Sequence, residues 1–303
     1  MPRGCPRSTD TAREAAPVPS PSHGFCASAR IKTPVTALRY VPVSGTNAYL
    51  PGRRRSIVAL AARTLWTLRR YWANRLGVDR AAFDSPGVTV GSGSAEGVEI
   101  FECDDALAIG APEPLVEPLC GRTADLASIN VTDPEAVREP LVDLGAIEAV
   151  LGPAFYGYVD RETFTPIESS ARTLTAADSS AYERFRAIVP DAEWEQGGLG
   201  FEPGETIGLF VGEDLVAVAA HEVWDGLLAH LAVVTHPEHR GEGYGRAVVS
   251  RATDRALTEG FLPQYRTLDV WPWSVALARE LGFERFATSI LVLIDTDEST
   301  EEA

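Results

Sequence analysis

A glycine-rich stretch in the C-terminal third of the chain carries the residue types best suited to bind an anionic ligand. Residues 233–246 read Val-Val-Thr-His-Pro-Glu-His-Arg-Gly-Glu-Gly-Tyr-Gly-Arg. An apolar stretch leads into the glycines and a helical pattern follows them. The unpaired N–H groups of the first helical turn should therefore face a bound phosphate or pyrophosphate. Glycines let the backbone approach such a ligand without interference from a Cβ atom, and Arg240 and Arg246 add positive charge.

Three kinds of phosphate-binding loop compete for this stretch. The dinucleotide fingerprint GxGxxG fails, because Arg246 stands where the third glycine is required. A P-loop requires Gly-Lys-Ser/Thr, and the single lysine of the chain, Lys32, lies between Ile31 and Thr33. The third loop, Arg/Gln-x-x-Gly-x-Gly/Ala, matches in full over residues 240–245.

This hexapeptide resembles motif A of the GCN5-related N-acetyltransferase (GNAT) family, which holds the pyrophosphate of acetyl-CoA. The long helical pattern that follows it and the Leu-Gly-Phe at 281–283 extend the resemblance to about residues 167–294. The resemblance implies an α+β fold with a GNAT-like mixed sheet flanked by helices. It also implies that strand Leu227–Thr235 diverges from its neighbour Tyr265–Val270, with the pantetheine of the cosubstrate in the gap.

The resemblance further implies which residues contact acetyl-CoA. The backbone N–H of Val233 would bond the thioester oxygen as the oxyanion donor, and the backbone of Thr235 would bond the pantetheine. Two positions depart from the family pattern: Trp271 stands where Asn is frequent, and Ala278 where a tyrosine general acid is frequent. The acid must then be another group, water, or none. The predicted cofactor-binding residues are Val233, Thr235, Arg240, Gly241, Gly243, Tyr244, Gly245, Arg246 and Ser274.

The implied reaction is direct transfer, in which an amine attacks the thioester carbon while a base accepts its proton. The candidate bases are Glu222, His221 and His230. Glu222 and His221 are neighbours in a predicted strand, so they face opposite sides and at most one of them points at the site. Because the usual tyrosine is missing, a non-catalytic acyl-CoA-binding or regulatory protein on the same fold is the alternative function.

Four other side chains have both a functional and a structural interpretation. Trp271 and Trp273 either line an acceptor pocket or pack in the core beneath the last helix. His236 and His239 lie three residues apart without a nearby cysteine, which favours loop residues beside the phosphate site over metal ligands. We therefore predict no metal cofactor.

Charge limits the partners that this protein can have. The 303 residues carry a formal net charge of -16 and only one lysine. Residues 56–303 alone carry -23, which argues against nucleic acid as a partner and is typical of proteins that function in molar salt. No segment is apolar and long enough for a signal peptide or a membrane span, so we expect a cytoplasmic protein without a membrane partner. The expected partner is an amine of a small molecule or protein, and the expected oligomeric state is a monomer or homodimer.

The pattern along the chain predicts four regions. Residues 1–55 are rich in Pro, Ser, Arg and Ala, which predicts a disordered or weakly ordered segment, and a native start downstream of them is compatible with the change in composition. Residues 56–165 are expected to form an α+β accessory module, for which a degenerate acetyltransferase-like half is one interpretation. Residues 167–294 are the predicted N-acetyltransferase domain, and 295–303 an acidic tail. Within the accessory module, the pattern predicts a helix near 57–76 that ends at Gly77, a hairpin of Val98–Cys103 and Ala106–Ile109, a helix at Ala146–Leu151, and a link to the next domain at Pro153–Pro166. Within the acetyltransferase domain, it predicts a strand at Ser169–Leu174 and a hairpin of Thr206–Val211 and Asp214–Val223.

Overall fold

Ten strands form one mixed sheet in the part of the chain that this computed structural model describes, which is residues 59–94, 96–198 and 200–295. The strands are β1 Gly87–Gly91, β2 Val98–Cys103, β3 Ala106–Gly110, β4 Ala146–Tyr158, β5 Arg172–Thr173, β6 Ile207–Val211, β7 Asp214–Trp224, β8 Leu228–Thr235, β9 Leu262–Leu268 and β10 Glu284–Asp295. The helices are α1 Ala62–Leu76, α2 Glu113–Cys120, α3 Thr123–Leu126, α4 Pro134–Arg138, α5 Ser179–Ile188, α6 Asp191–Gly197, α7 Tyr244–Glu259 and α8 Pro272–Glu280. The prediction for residues 1–55, and that for the acidic tail after Asp295, lie outside the described residues.

The strand order across the sheet is β1-β3-β2-β10-β4-β9-β8-β7-β6-β5. Two neighbouring pairs, β1–β3 and β8–β9, run parallel, and the other pairs run antiparallel. The predicted α+β class with a mixed sheet is therefore confirmed. The last strand, β10, lies between β2 and β4, so the predicted accessory region and the predicted acetyltransferase region contribute strands to the same sheet.

One face of this sheet is covered by α1. Its residues Trp72 and Leu76 are almost fully buried, and the Trp72 ring stacks on Phe101 of β2 with 4.5 Å between centroids. The indole N–H of Trp72 donates a hydrogen bond to the Tyr158 hydroxyl of β4 at 2.8 Å. The helix ends, as predicted, at Gly77, whose φ of 68° is left-handed and favours glycine. We call the side of the sheet that α1 covers the α1 face.

The opposite face, here called the α7 face, is covered by α7 and α8. Val248, Val249 and Ala252 of α7 and Val275 of α8 belong to the core cluster on this side. The small and β-branched side chains of α7 lie on one broad stripe of the helix and bring it close to the sheet. The two faces divide the strand residues between them, because successive side chains of a strand point to opposite sides.

The predicted helix at Ala146–Leu151 is wrong, and so is the start of the predicted link. Residues 146–158 form the single strand β4, which pairs with β10 over most of its length. The sequence Ala-Ile-Glu-Ala-Val-Leu has good helix propensity, but pairing with a strand that begins 126 residues after β4 ends outweighs that local preference. The helix α6 was not predicted, and the predicted strand at 169–174 shortens to the two residues of β5.

The start of α1 depends on Asp160, which follows β4. One carboxylate oxygen of Asp160 accepts hydrogen bonds from the Ala61 amide at 2.9 Å and the Thr64 hydroxyl at 2.8 Å. The other accepts from the backbone amides of Glu162 and Thr163. Although burial opposes it, this set of donors lowers the pKa of Asp160 below its ordinary value.

Replacing Asp160 with alanine should reduce the free energy of unfolding by about 2 kcal/mol, because the helix loses its cap and buried donors lose their acceptor. Since the folded-state pKa is lowered, the stabilisation should be present above the unfolded pKa and be lost as the pH falls through the folded value. Urea titrations of wild type and variant between pH 2 and 7 measure both effects. A difference that does not shrink toward acid pH would contradict this role.

Candidate active site

Strands β8 and β9 pair along only part of their length. Their parallel register includes Leu228 to His230 on β8 and Leu262 to Gln264 on β9, whereas β8 continues to Thr235 and β9 to Leu268. The two strands therefore separate after His230, which confirms the divergence that the resemblance implies. A cleft of about 970 Å³ opens there, with walls from β8, β9, the glycine loop, α6 and α8.

The open edge of β8 presents backbone donors to this cleft. The His236 amide, just after β8, donates to the carbonyl of Val216 on the β7 side at 2.8 Å. In an antiparallel pair, the residues that bond the partner strand alternate with residues whose N–H and C=O point the other way. The register of β7 with β8 is unbroken, so Val233 and Thr235 belong to the second set. Their N–H groups thus point into the gap, where β9 no longer pairs.

The glycines of the loop have distinct roles. Gly241 and Gly243 have φ values of 80° and 83°, in the left-handed region that glycine adopts readily. Gly243 immediately precedes α7, so the turn it allows presents the first N–H groups of that helix to the cleft. Gly245 lies against β8 instead: a Cβ atom there would be 2.7 Å from the Thr235 hydroxyl oxygen. The sequence therefore folds into the strand, turn and helix that a phosphate site requires.

Both arginines of the loop form ion pairs across the mouth of the cleft. Arg240 pairs with Glu193 of α6, and Arg246 pairs with Glu280 of α8. All four side chains are partly exposed and line the cleft, so a phosphate could reach the same guanidinium groups. Neither glutamate was singled out from the sequence, because each lies on a helix distant from the loop in the chain.

Among the three predicted bases, only His230 lines the cleft. It is half-buried at the last position where β8 pairs with β9, and the Trp224 ring stacks on it with 4.3 Å between centroids. Its Nδ1 lies 3.2 Å from the side-chain oxygen of Gln264, and the Gln264 amide bonds the buried Tyr158 hydroxyl. Burial, reinforced by the positive charge of Arg266, lowers the pKa of His230 to about 4. The imidazole is therefore neutral at pH 7.

The other two candidate bases do not line the cleft. His221 points to the α7 face, where its Nε2 is 3.2 Å from a carboxylate oxygen of Glu259 at the end of α7. Burial lowers its pKa, against the opposing effect of Glu259. Glu222 is opposite His230 in the β7–β8 register but is exposed, and it accepts a hydrogen bond from the Trp224 indole at 3.1 Å.

A hydroxyl pair lines the wall of the cleft near α8. The Tyr265 hydroxyl and the Ser274 hydroxyl are 3.0 Å apart, and both residues line the cleft. Burial raises the pKa of Tyr265, so it stays a neutral hydroxyl at physiological pH. Trp271 and Trp273 also line the cleft, and Trp273 is 64% exposed, whereas Ala278 is fully buried in the core. Trp273 thus offers an exposed aromatic surface beside the cleft.

The part of the chain that builds this cleft matches a known protein family. The sequence profile of the acetyltransferase (GNAT) family matches residues 171–283. This stretch includes β8, the glycine loop, α7 and β9, which together build the cleft. Residues 171–283 therefore belong to the GNAT family. A comparison with curated protein sequences returned no match.

Solved structures include several with a limited likeness to this chain. A GNAT-family acetyltransferase from Colwellia psychrerythraea is 12% identical, with 78% of this chain and 98% of that chain covered and a TM-score of 0.43. A GCN5-related N-acetyltransferase from Kribbella flavida is 22% identical, with 51% of this chain and 62% of that chain covered and a TM-score of 0.37. Less than two thirds of that chain is therefore covered. The protein yncA from Salmonella typhimurium, solved with its cofactor acetyl-CoA, is 18% identical, with 43% of this chain and 95% of that chain covered and a TM-score of 0.31.

Neither a metal-binding cluster nor a membrane-spanning helix is found in the described residues. In residues 59–94, 96–198 and 200–295, no group of three or more His, Cys, Asp or Glu side chains is arranged to hold a metal ion. Within the same part of the chain, no helix is both long and apolar enough to cross a membrane.

Proposed function

We propose that this protein is an N-acetyltransferase that moves an acetyl group from acetyl-CoA to an amine of a small molecule or protein. The observation that carries the proposal is the separation of β8 from β9 beside a glycine loop that opens into α7. The loop supplies helix N–H groups and two arginines for the diphosphate. The open edge of β8 supplies N–H groups for the amide-containing arm and the thioester oxygen. Acetyl-CoA itself supplies an activated acetyl thioester.

In this proposal, the Val233 N–H and the His230 side chain act directly in the transfer. The Val233 N–H, pointing into the gap, stabilises the negative charge that develops on the thioester oxygen. The attacking amine forms a C–N bond as the C–S bond breaks, and the leaving group departs as a thiolate. His230 accepts the proton that the nitrogen loses. Because its pKa is about 4, the amine must arrive in its neutral form, and the proton moves as the C–N bond makes the nitrogen acidic.

An assay of thiol release from acetyl-CoA against a panel of amines tests this function. An N-acetyltransferase releases the thiol only when a suitable amine is present, and mass spectrometry detects an acetylated product. The alternative of a non-catalytic acyl-CoA-binding or regulatory protein predicts that acetyl-CoA binds in calorimetry without turnover. Failure to bind acetyl-CoA would contradict both.

A further part of the proposal is that this is a cytoplasmic protein adapted to molar salt, without nucleic acid or membrane partners. Residues 56–303 carry a net charge of -23, and the charge repulsion within the fold should be screened only at high ionic strength. We therefore expect the melting temperature to rise between 0.1 and 3 M KCl. A melting temperature that stays constant over this range would contradict the adaptation to salt.

A further inference from the structure

A half-buried arginine, Arg266, lies on the α1 face of the same cleft. Arg266 is two residues beyond Gln264, at which the pairing of β8 with β9 ends, and its half-buried side chain lines the cleft. Its guanidinium lies 5.4 Å from the centroid of the Tyr156 ring. In the described part of the chain, no carboxylate is within ion-pair distance of the Arg266 guanidinium and no side-chain hydrogen bond to it is found, in contrast to Arg240 and Arg246.

The side of the sheet to which Arg266 points follows from its neighbours. Tyr265 packs on the α7 face, where it contacts Phe283 and Ser274. Arg266 must point to the opposite side, and Tyr156, over which it lies, packs against Trp72 of α1. The phosphate loop lies on the α7 face with its helix. A donor bound there leaves the α1 face of the gap open to the acceptor.

We propose that the acceptor amine carries a carboxylate, which the guanidinium of Arg266 binds as the amine approaches the acetyl group. This inference rests on the proposed acetyltransferase function and names the substrate class for the same site. A guanidinium presents parallel N–H donors that match the two oxygens of a carboxylate. The Arg266 guanidinium has N–H donors without a side-chain partner among the described residues, and it lies over the Tyr156 ring. Arg266 is also two residues beyond Gln264, the last residue of β9 that pairs with β8.

The charges around Arg266 favour a carboxylate over a phosphate. Glu99 of β2 accepts a hydrogen bond from the Ser289 hydroxyl at 3.2 Å, and it is half-buried on the same side of the sheet. Burial raises the pKa of Glu99, while the positive charges of Arg266 and Arg75 oppose that rise. A dianionic phosphate would be repelled by the Glu99 carboxylate, and Arg266 alone would have to balance its two negative charges. A singly charged carboxylate on an amine, as in an amino acid, fits this mixed environment better.

The test compares matched acceptors that differ only in this group. Acetylation of a panel of L-amino acids and their carboxamides is measured with wild type and Arg266→Gln. We expect wild type to prefer the acids by about 10- to 100-fold in kcat/KM, and the variant to lose that preference. Comparing the ratio between the two proteins cancels the difference in amine pKa between acid and amide. The control is Arg184→Gln, which removes the same charge from an exposed position on α5 and should keep the preference.

A binding measurement separates this inference from the proposed function. With CoA present, calorimetry compares N-acetyl amino acids with N-acetyl amino amides, which need no turnover. If no amine is acetylated, the proposed function fails, and tighter binding of the acids by wild type but not by Arg266→Gln still supports the carboxylate site. Equal binding of acids and amides by wild type, or a preference that survives in a folded Arg266→Gln variant, overturns it.

Discussion

Replacing His230 with alanine should lower kcat for acetyl transfer by about 100-fold, since a positioned base contributes on that order. His230 is the only one of the three predicted bases that lines the cleft, and it lies three residues before the Val233 N–H on the same strand. The KM for acetyl-CoA should change little, because the side chain points to the α1 face and the phosphate loop lies on the other. Steady-state kinetics with saturating amine provide the measurement.

The matched control for this variant is His221→Gln. His221 is also a partly buried histidine with a lowered pKa, but it contacts Glu259 at the far end of α7 and does not line the cleft. We expect it to retain the wild-type rate. A larger loss in His221→Gln than in His230→Ala would show that the wrong base has been chosen.

The pH dependence distinguishes a base from a residue that only shapes the cleft. With a pKa of about 4, His230 is already deprotonated across the range from pH 6 to 9. The rise of kcat/KM in this range should therefore follow the pKa of the amine and move when the amine is changed. A second, enzyme-derived limb should appear near pH 4 and disappear in His230→Ala. A limb that stays near the same neutral pH for all amines would point to another group.

Replacing Gly243 with valine should weaken acetyl-CoA binding by at least about tenfold. At a φ of 83° a β-branched residue is strained, so the loop must change the turn that presents the first N–H groups of α7. Crowding against the rest of the protein is not the cause, because the nearest protein atom to an added Cβ is in the Arg246 guanidinium, at 3.8 Å. Calorimetric titration with acetyl-CoA measures the change in affinity.

Gly212 provides the control for this backbone effect. It lies in the turn between β6 and β7 with a φ of 63°, and an added Cβ there meets nothing within 4 Å. Gly212→Val should therefore lower the free energy of unfolding by about 1–2 kcal/mol, as Gly243→Val should, but it should leave the affinity for acetyl-CoA unchanged. If Gly243→Val bound acetyl-CoA as tightly as wild type does, the assignment of the loop to the diphosphate would be wrong.

Local sequence determined the elements whose signals lie within a few residues. The β2–β3 and β6–β7 hairpins, the end of α1 at Gly77 and the loop that opens α7 all agree with the predictions. Each depends on turn residues or on an apolar pattern within the segment itself, so no contact with a distant part of the chain is needed to form it. The phosphate loop was predictable for the same reason, because its strand, glycines and helix are consecutive.

Only the tertiary structure decided the features that depend on distant pairing. β4 is a strand because β10 lies beside it, although its own residues favour a helix. The choice of His230 over Glu222 and His221 followed from where β8 leaves β9, and no local pattern marks that point. Arg266 became a candidate for binding the acceptor because, among the described residues, no carboxylate lies within ion-pair distance of its guanidinium. Burial and charge pairing are sums over neighbours from many parts of the chain, so they exist only once the chain has folded.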